Sequence, residues 1–328
     1  MANVLVTGGA GYIGAHACKA LSRAGFNPVS YDNLSNGHGE AVRWGPLERG
    51  DVLDATRLSE VLARWRPVAV MHFAGLIEVA RSVREPALFQ RTNVEGSRVL
   101  LAAMAAAGCE RIVFSSSAAV YGEPEETPIP ETHPLRPLNP YGAGKAEVEA
   151  ILTQTAAAGR LRFAALRYFN AAGADPDGEI GERHEPETHA LPLAILAALG
   201  RGPAFRIYGR GYPTPDGTAV RDYVHVSDLA RGHVDALRYL LGGGGSLAVN
   251  LGTGHGISVA ELVRTVGAVL GRPVPTSDAP RRPGDPAVLV AAPARAEAML
   301  DWRPEIEDFE SIVRTAAAWH SRLEGRPA

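Results

Sequence analysis

The sequence predicts an α/β fold: a doubly wound parallel sheet carrying a second, smaller α/β domain. Three observations lead there. Short apolar runs alternate with helical stretches through the first half of the chain. A glycine-rich turn follows the first of these runs directly. The chain has 328 residues, about two domains at roughly 150 residues each, and its second half is the more irregular.

In chain order, Asn3–Thr7 is a short apolar run, the mark of a buried strand. Tyr12–Arg23 reads as a helix closed by Gly25. Residues 26–31 read as a second strand, 68–72 as another and Arg111–Ser115 as another. Between the last two lies a helix over 86–107, closed by Gly108. Residues 141–158 are helical up to Gly159, and 161–167 return as a strand. Proline and glycine cluster at 174–181, 209–217 and 280–286, which read as ordered loops, while 242–245 is a flexible turn.

Composition narrows the function classes. Apolar residues make up 46% and charged residues 21%, ordinary for a chain that buries a core. The net charge of −3 leaves no basic excess to neutralise a phosphate backbone, so no nucleic-acid partner is expected. Two cysteines, Cys18 and Cys109, make neither a disulfide framework nor, alone, a zinc site, and no metal is expected. No basic stretch precedes the first apolar run, so no signal peptide is expected. The apolar run 190–199 contains Pro192 and is far short of the ~20 residues a membrane span needs. A cytoplasmic enzyme or ligand-binding sensor remains. The chain holds 31 arginines but only two lysines, Lys19 and Lys145. In that background a lysine marks a place where arginine cannot serve.

The turn Thr7-Gly8-Gly9-Ala10-Gly11-Tyr12-Ile13-Gly14 fits both G-x-G-x-x-G and G-x-x-G-x-x-G. Residues without a Cβ let the chain turn sharply, let a pyrophosphate approach the backbone and let the helix pack close to the strand. The helix N-terminus then offers its N–H groups to the anion. Asp32, 18 positions after Gly14, can accept from adenosine ribose hydroxyls and would repel a 2′-phosphate. NAD is therefore expected over NADP, on a Rossmann-type domain. The loop at Asp51 and Val52 is placed to meet the adenine edge.

Tyr141 and Lys145 stand four residues apart, on one face of a helix. A phenol titrates near ~10 and is a poor base until a neighbouring cation stabilises its phenolate. Ser117 follows a strand that ends where a parallel sheet lines its ligand crevice, and could share a bond to a substrate oxygen.

These residues, with Asp32-Asn33-Leu34, His72-Phe73-Ala74-Gly75 and Ser115 to Gly122, resemble the extended short-chain dehydrogenase/reductase family. Further motifs are similar to those of its UDP-hexose epimerases. They are Arg167-Tyr168-Phe169-Asn170, Gly181-Glu182, Tyr212-Pro213-Thr214, Val220-Arg221-Asp222-Tyr223-Val224-His225, Asn250-Leu251-Gly252 and Arg281-Arg282-Pro283-Gly284-Asp285. The resemblance covers nearly the whole chain. It implies NAD-dependent inversion at C4 of a UDP-hexose, interconverting UDP-glucose and UDP-galactose through a 4-keto sugar. Tyr141 would be the acid and base, Lys145 its electrostatic partner and ribose ligand, and Ser117 the hydroxyl on the C4 oxygen.

By the same resemblance NAD would lie on Gly8, Gly11, Tyr12, Ile13 and Gly14, on Asp32, Asn33, Asp51 and Val52, and on Phe73, Ala74, Gly75, Asn93 and Tyr168. Asn170, Arg221 and Arg282 would hold the uridine and pyrophosphate, with Asp285, His189 and Tyr208 beside them. The resemblance implies a homodimer through helices near 86–107 and 141–158. It divides the chain into 1–170 plus about 227–257 for NAD, and 171–226 plus 258–328 for the UDP-sugar. Two positions depart from the family pattern. Ile77 stands where a lysine is frequent, and Leu289 matches a tyrosine that narrows the sugar pocket.

Other readings are a 4-epimerase of UDP-pentoses, UDP-uronates or UDP-N-acetylhexosamines, an NDP-sugar 4,6-dehydratase, and a non-catalytic NAD(P) sensor. The dehydratase resembles Thr-Asp-Glu-Val-Tyr-Gly where this chain has Ser117-Ala118-Ala119-Val120-Tyr121-Gly122, so its acid pair is missing. A sensor has no need of Tyr141 and Lys145.

Overall fold

A computed structural model describes residues 1–282 and 284–323. Pro283, inside the 280–286 loop and the arginine motif, and the last five residues of the 258–328 segment lie outside the described residues.

The five expected strands, β1 (Asn3–Thr7), β2 (Asn27–Asp32), β4 (Ala69–His72), β5 (Arg111–Ser115) and β6 (Arg162–Tyr168), form one parallel sheet with two that the sequence reading did not single out, β3 (Leu47–Arg49) and, from late in the chain, β10 (Leu247–Leu251). Their spatial order is β10-β6-β5-β4-β1-β2-β3. Strand order reverses at β1, whose neighbours are β2 and β4. That switch point opens a crevice at the C-terminal strand ends, directly at the glycine turn.

Helices cover both faces, which is why these strands read as continuous apolar runs. One face carries α1 (Tyr12–Arg23) and α8 (Val226–Leu241) over Val4, Val6, Met71 and Val113. The other carries α2 (Ala55–Trp65), α5 (Gly96–Ala106) and α6 (Pro140–Ala157) over Leu5, Val29, Val70 and Ile112. The expected helix at 86–107 is built in pieces. After α3 (Val79–Arg84), α4 (Pro86–Phe89) runs through a π-helical turn, Gln90–Glu95, into α5. A π turn rotates the side chains of one turn out of register, and Asn93 lies in it.

The second half is more regular than its composition suggests. β7 (Asn170–Ala172), β9 (Val220–His225), β11 (Gly256–Ser258) and β13 (Val288–Leu289) make a small mixed sheet. β8 (Phe205–Tyr208) pairs with β12 (Thr276–Ala279). α7 (Ala190–Ala198), α9 (Val259–Leu270) and α11 (Phe309–Arg322) pack around Leu191, Ile195, Leu262 and Ile312. α10 (Ala294–Leu300) instead sends Ala296 and Leu300 to the large sheet, with Trp302 just after it.

Candidate active site

The glycine turn is shaped for a close approach. Gly8 sits at φ +73°, and a Cβ there would meet the Ala74 nitrogen at 2.7 Å. A Cβ on Gly14 would meet the Gly8 carbonyl at 2.1 Å. Gly11 is the N-cap of α1 and supplies no side-chain cap, which leaves the first N–H groups of the helix for a ligand. The backbone N–H groups of Phe73 and Ala74 both bond to the Thr7 carbonyl, tying the post-β4 loop to the turn. Asp32, at the end of β2, accepts from the N–H of Ala10 and of Leu34, at 3.0 and 2.8 Å. Asn33 donates to Asp51, whose other oxygen accepts from the N–H of Leu53. These features make a cradle that suits a dinucleotide.

Two expected cofactor residues are committed elsewhere. The Tyr12 hydroxyl donates to the Gly173 carbonyl at 2.6 Å and so clamps α1 to the chain just past β7. Asn93 accepts from the Leu76 N–H and donates to the Leu76 carbonyl, at 2.8 and 2.9 Å. The amide thereby fixes the loop after Gly75. A chain of bonds from Thr7 through His72 and Ser97 to the Asn93 carbonyl braces this arrangement beneath the crevice.

α6 carries the central pair. Asn139 caps it by accepting from the Gly142 N–H, and Pro140 opens its first turn. A Cβ on Gly142 would lie 2.4 Å from the Ala119 carbonyl, so α6 presses against the segment that begins at Ser117. The Tyr141 hydroxyl is thereby within hydrogen-bond reach of Ser117. Tyr141 and Lys145 are 8% and 6% exposed. The Lys145 ammonium donates to the Ser115 carbonyl at 2.6 Å and lies 5.8 Å from the Tyr141 ring centre. Tyr168 is half-buried beside them, its hydroxyl 2.6 Å from Ser115 Oγ.

Burial raises Tyr141 above the ordinary phenol range, and the Ser117 hydrogen bond only partly offsets it. Burial also brings the Lys145 ammonium down to about 8, against the pull of Glu149. The same desolvation that hides the pair from water disfavours the charge on each.

Glu149 was not singled out from the sequence. It lies one turn beyond Lys145 on the buried face of α6. It accepts from Ser116 at 2.5 Å and from Arg167 at 2.6, 3.0 and 3.2 Å. Arg167 also donates to Tyr121, which donates to Asn250. The signal was a glutamate four residues past the lysine, together with an arginine inside an apolar strand.

Three of the expected substrate residues, Asn170, Arg221 and Leu289, lie on strands of the small sheet. Leu289 pairs with Arg221 in register and, like Phe169, packs against the small cluster of Ala118, Val120, Tyr121 and Ile129. Arg221 donates to Asp285 at 2.5 Å, and the Tyr212 hydroxyl donates to the same carboxylate. The Arg282 guanidinium lies 3.8 Å over the ring of Tyr208 and pulls that phenol down. Asn170 opens β7, beside Tyr223 of β9. His189 is the residue before the first turn of α7, its ring on Glu182 and Glu187. Burial works against charge on that ring, but the two carboxylates prevail and raise it to about 10.

Among the described residues no helix is long and apolar enough to cross a membrane. Over 97% of each chain, this sequence is 53% identical to a UDP-glucose 4-epimerase of Rhizobium leguminosarum bv. trifolii. The crystal structure of UDP-glucose 4-epimerase from Brucella ovis in complex with NAD superposes with a TM-score of 0.95 at 50% identity, covering 97% of this chain and 98% of that one. UDP-glucose-4-epimerase from Stenotrophomonas maltophila, with bound NAD and formylated UDP-arabinopyranose, matches with the same score at 39% identity over 98% and 99% of the two chains. A family model described as the NAD dependent epimerase/dehydratase family matches residues 4–252, and the chain belongs to that family.

Proposed function

We propose that the chain interconverts UDP-glucose and UDP-galactose by inverting C4 of the sugar with bound NAD. The observation that carries this reading is the buried Tyr141 within reach of Ser117, with Lys145 on the same helix face. NAD, when bound, accepts a hydride from C4 and gives it back. Gly8, Gly11 and Gly14 with the α1 N-terminus hold its pyrophosphate, and Asp32 holds the adenosine ribose. Tyr12, Ile13, Asn33, Asp51, Val52, Phe73, Ala74, Gly75, Asn93 and Tyr168 shape the rest of that groove.

Tyr141 takes the proton of the C4 hydroxyl as a ketone forms, and returns a proton at the opposite face. Ser117 donates to the same oxygen. Lys145 stabilises the phenolate and positions the ribose next to it. Arg221 and Arg282 grip the diphosphate through forked donors, with Asp285 orienting Arg221. Asn170, Tyr208 and His189 flank the nucleotide. Anchoring at the nucleotide leaves the sugar free to turn between the two hydride transfers. Leu289, small beside a tyrosine, leaves room at C2 for an N-acetyl group.

The working form in this reading is a cytoplasmic homodimer joined through the helices at 86–107 and 141–158. NAD belongs to 1–170 with 227–257, and the UDP-sugar to 171–226 with 258–328, where α10 reaches back to the large sheet. The test is conversion of UDP-galactose to UDP-glucose by the purified protein, read by a coupled dehydrogenase, with no reductant added to the epimerisation. A redox-neutral inversion runs in full. A dependence on added reductant, or no conversion, removes the reading.

A further inference from the structure

Glu182, His184, Glu187 and His189 crowd the segment that leads into α7. Each offers one ligand atom, and the four atoms lie within 4.8 Å of one another. His189 Nδ1 stands 2.9 Å from Glu182 Oε1 and 3.0 Å from Glu187 Oε1. His184 Nδ1 stands 3.3 Å from Glu182 Oε1 and 3.6 Å from Glu187 Oε2. The two glutamate side chains are 5% and 9% exposed. His184 Nδ1 is buried, and the groups it faces are these two carboxylates. Two imidazoles and two carboxylates converging at such separations make a set of zinc-type ligands.

We propose that these four side chains form a closed site for a divalent ion of the zinc type, ligated by the two Nδ1 atoms and one oxygen of each glutamate. Zinc binds nitrogen and carboxylate oxygen at ~2.0–2.2 Å, which gives a tetrahedron with edges of about 3.4 Å. With Oε1 of each glutamate as the ligand, the separations His189–Glu182, His189–Glu187 and His184–Glu182 are 2.9, 3.0 and 3.3 Å, slightly inside that edge. Two carboxylates and two neutral imidazoles balance a doubly charged ion, so no net charge is buried. The mixed nitrogen and oxygen set favours zinc over magnesium or calcium, which prefer all-oxygen shells.

All four positions come from the protein, which makes the site structural rather than catalytic. Supporting bonds are present: Glu187 Oε1 accepts from the N–H groups of Thr188 and His189, and Trp319 donates to the Glu182 carbonyl. The ion would fasten the 182–189 loop to the start of α7. The neighbouring acidic group Asp175, Asp177 and Glu179 carries no such proposal, because the Lys19 ammonium already sits 2.6–2.8 Å from all three.

The experiment uses the full chain, stripped with a chelator, exposed to Zn²⁺ and passed through a desalting column. Elemental analysis of the wild type is expected to give one zinc per chain, with the melting temperature above that of the stripped protein. Co²⁺ in place of Zn²⁺ is expected to give the intense visible bands of tetrahedral coordination. His184→Gln and Glu182→Gln are expected to lose both the stoichiometric metal and the bands. Substoichiometric zinc in the wild type overturns the proposal, as do folded variants that keep zinc as well as the wild type does. If neither variant folds, the wild-type Co²⁺ spectrum decides: tetrahedral bands support the site and their absence overturns it.

Discussion

Glu149→Gln tests whether the catalytic pair rests on the buried ion pair beneath it. Glu149 and Arg167 are 5% and 6% exposed, and the carboxylate takes three contacts from the guanidinium and one from Ser116. Glutamine keeps the shape but turns one acceptor into a donor facing other donors, and leaves the Arg167 charge unpaired. Breaking a buried pair from one side costs about 3–5 kcal/mol. For a chain of this size that is a fall in melting midpoint of about 4–7 °C. Urea unfolding monitored by fluorescence supplies the free energy. A second effect is independent of stability. Burial lowers the Lys145 ammonium and Glu149 opposes it, so the Lys145 limb of the kcat profile moves to lower pH in the variant. The double change Glu149→Gln with Arg167→Met removes both charges and is expected to recover part of the loss. A single-variant cost below about 1 kcal/mol, the worth of an exposed pair, together with an unmoved pH limb, would refute the argument.

Four further outcomes are expected. Tyr141→Phe keeps its fold and retains NAD but loses turnover by orders of magnitude, read by kcat beside a cofactor-binding titration; near-native turnover removes Tyr141 from the mechanism. Lys145→Arg loses rate or cofactor affinity, because a planar guanidinium cannot take an ammonium's place between phenol and ribose; a variant that keeps both shows that the charge alone suffices. Leu289→Tyr selectively suppresses kcat/KM for UDP-N-acetylglucosamine relative to UDP-glucose, and equal losses on both discard Leu289 as the gate. The last concerns pH. With Lys145 at about 8 in the folded chain against 10.5 in the unfolded one, the folded state binds fewer protons between those values, so this group adds stability as pH rises through that window. Urea midpoints of wild type are therefore expected to gain on those of Lys145→Met from pH 8 to 10, and a constant difference would count against a buried, depressed lysine.

The parts of the fold that follow from local rules were legible. β1, the glycine turn and α1 were readable because strand, turn and helix each carry their own signal within a few residues. Tyr141 and Lys145 were readable because helical spacing alone puts them on one face. α2 was missed although Asp54 caps it and Leu58, Val61 and Leu62 form its buried stripe. The small sheet was missed because its strands are two to six residues long and pair across long stretches of chain. Such short runs carry too little periodicity to stand out from loops. The scarcity of lysine pointed at Lys19 as well as Lys145. Its ammonium satisfies three carboxylates at once while nearly buried, a task for a compact charge rather than a planar fork. Glu149 and Arg167 depend on a helix and a strand that meet only in the folded chain.

The central claim is that one buried site oxidises and re-reduces the same carbon of the same sugar. UDP-galactose deuterated at C4, turned over by the purified protein in ordinary water, tests it directly. The account predicts UDP-glucose with the deuterium still at C4, because the hydride leaves and returns within one closed site. Deuterium lost to solvent, or replaced by hydrogen at C4 during a single turnover, would contradict it.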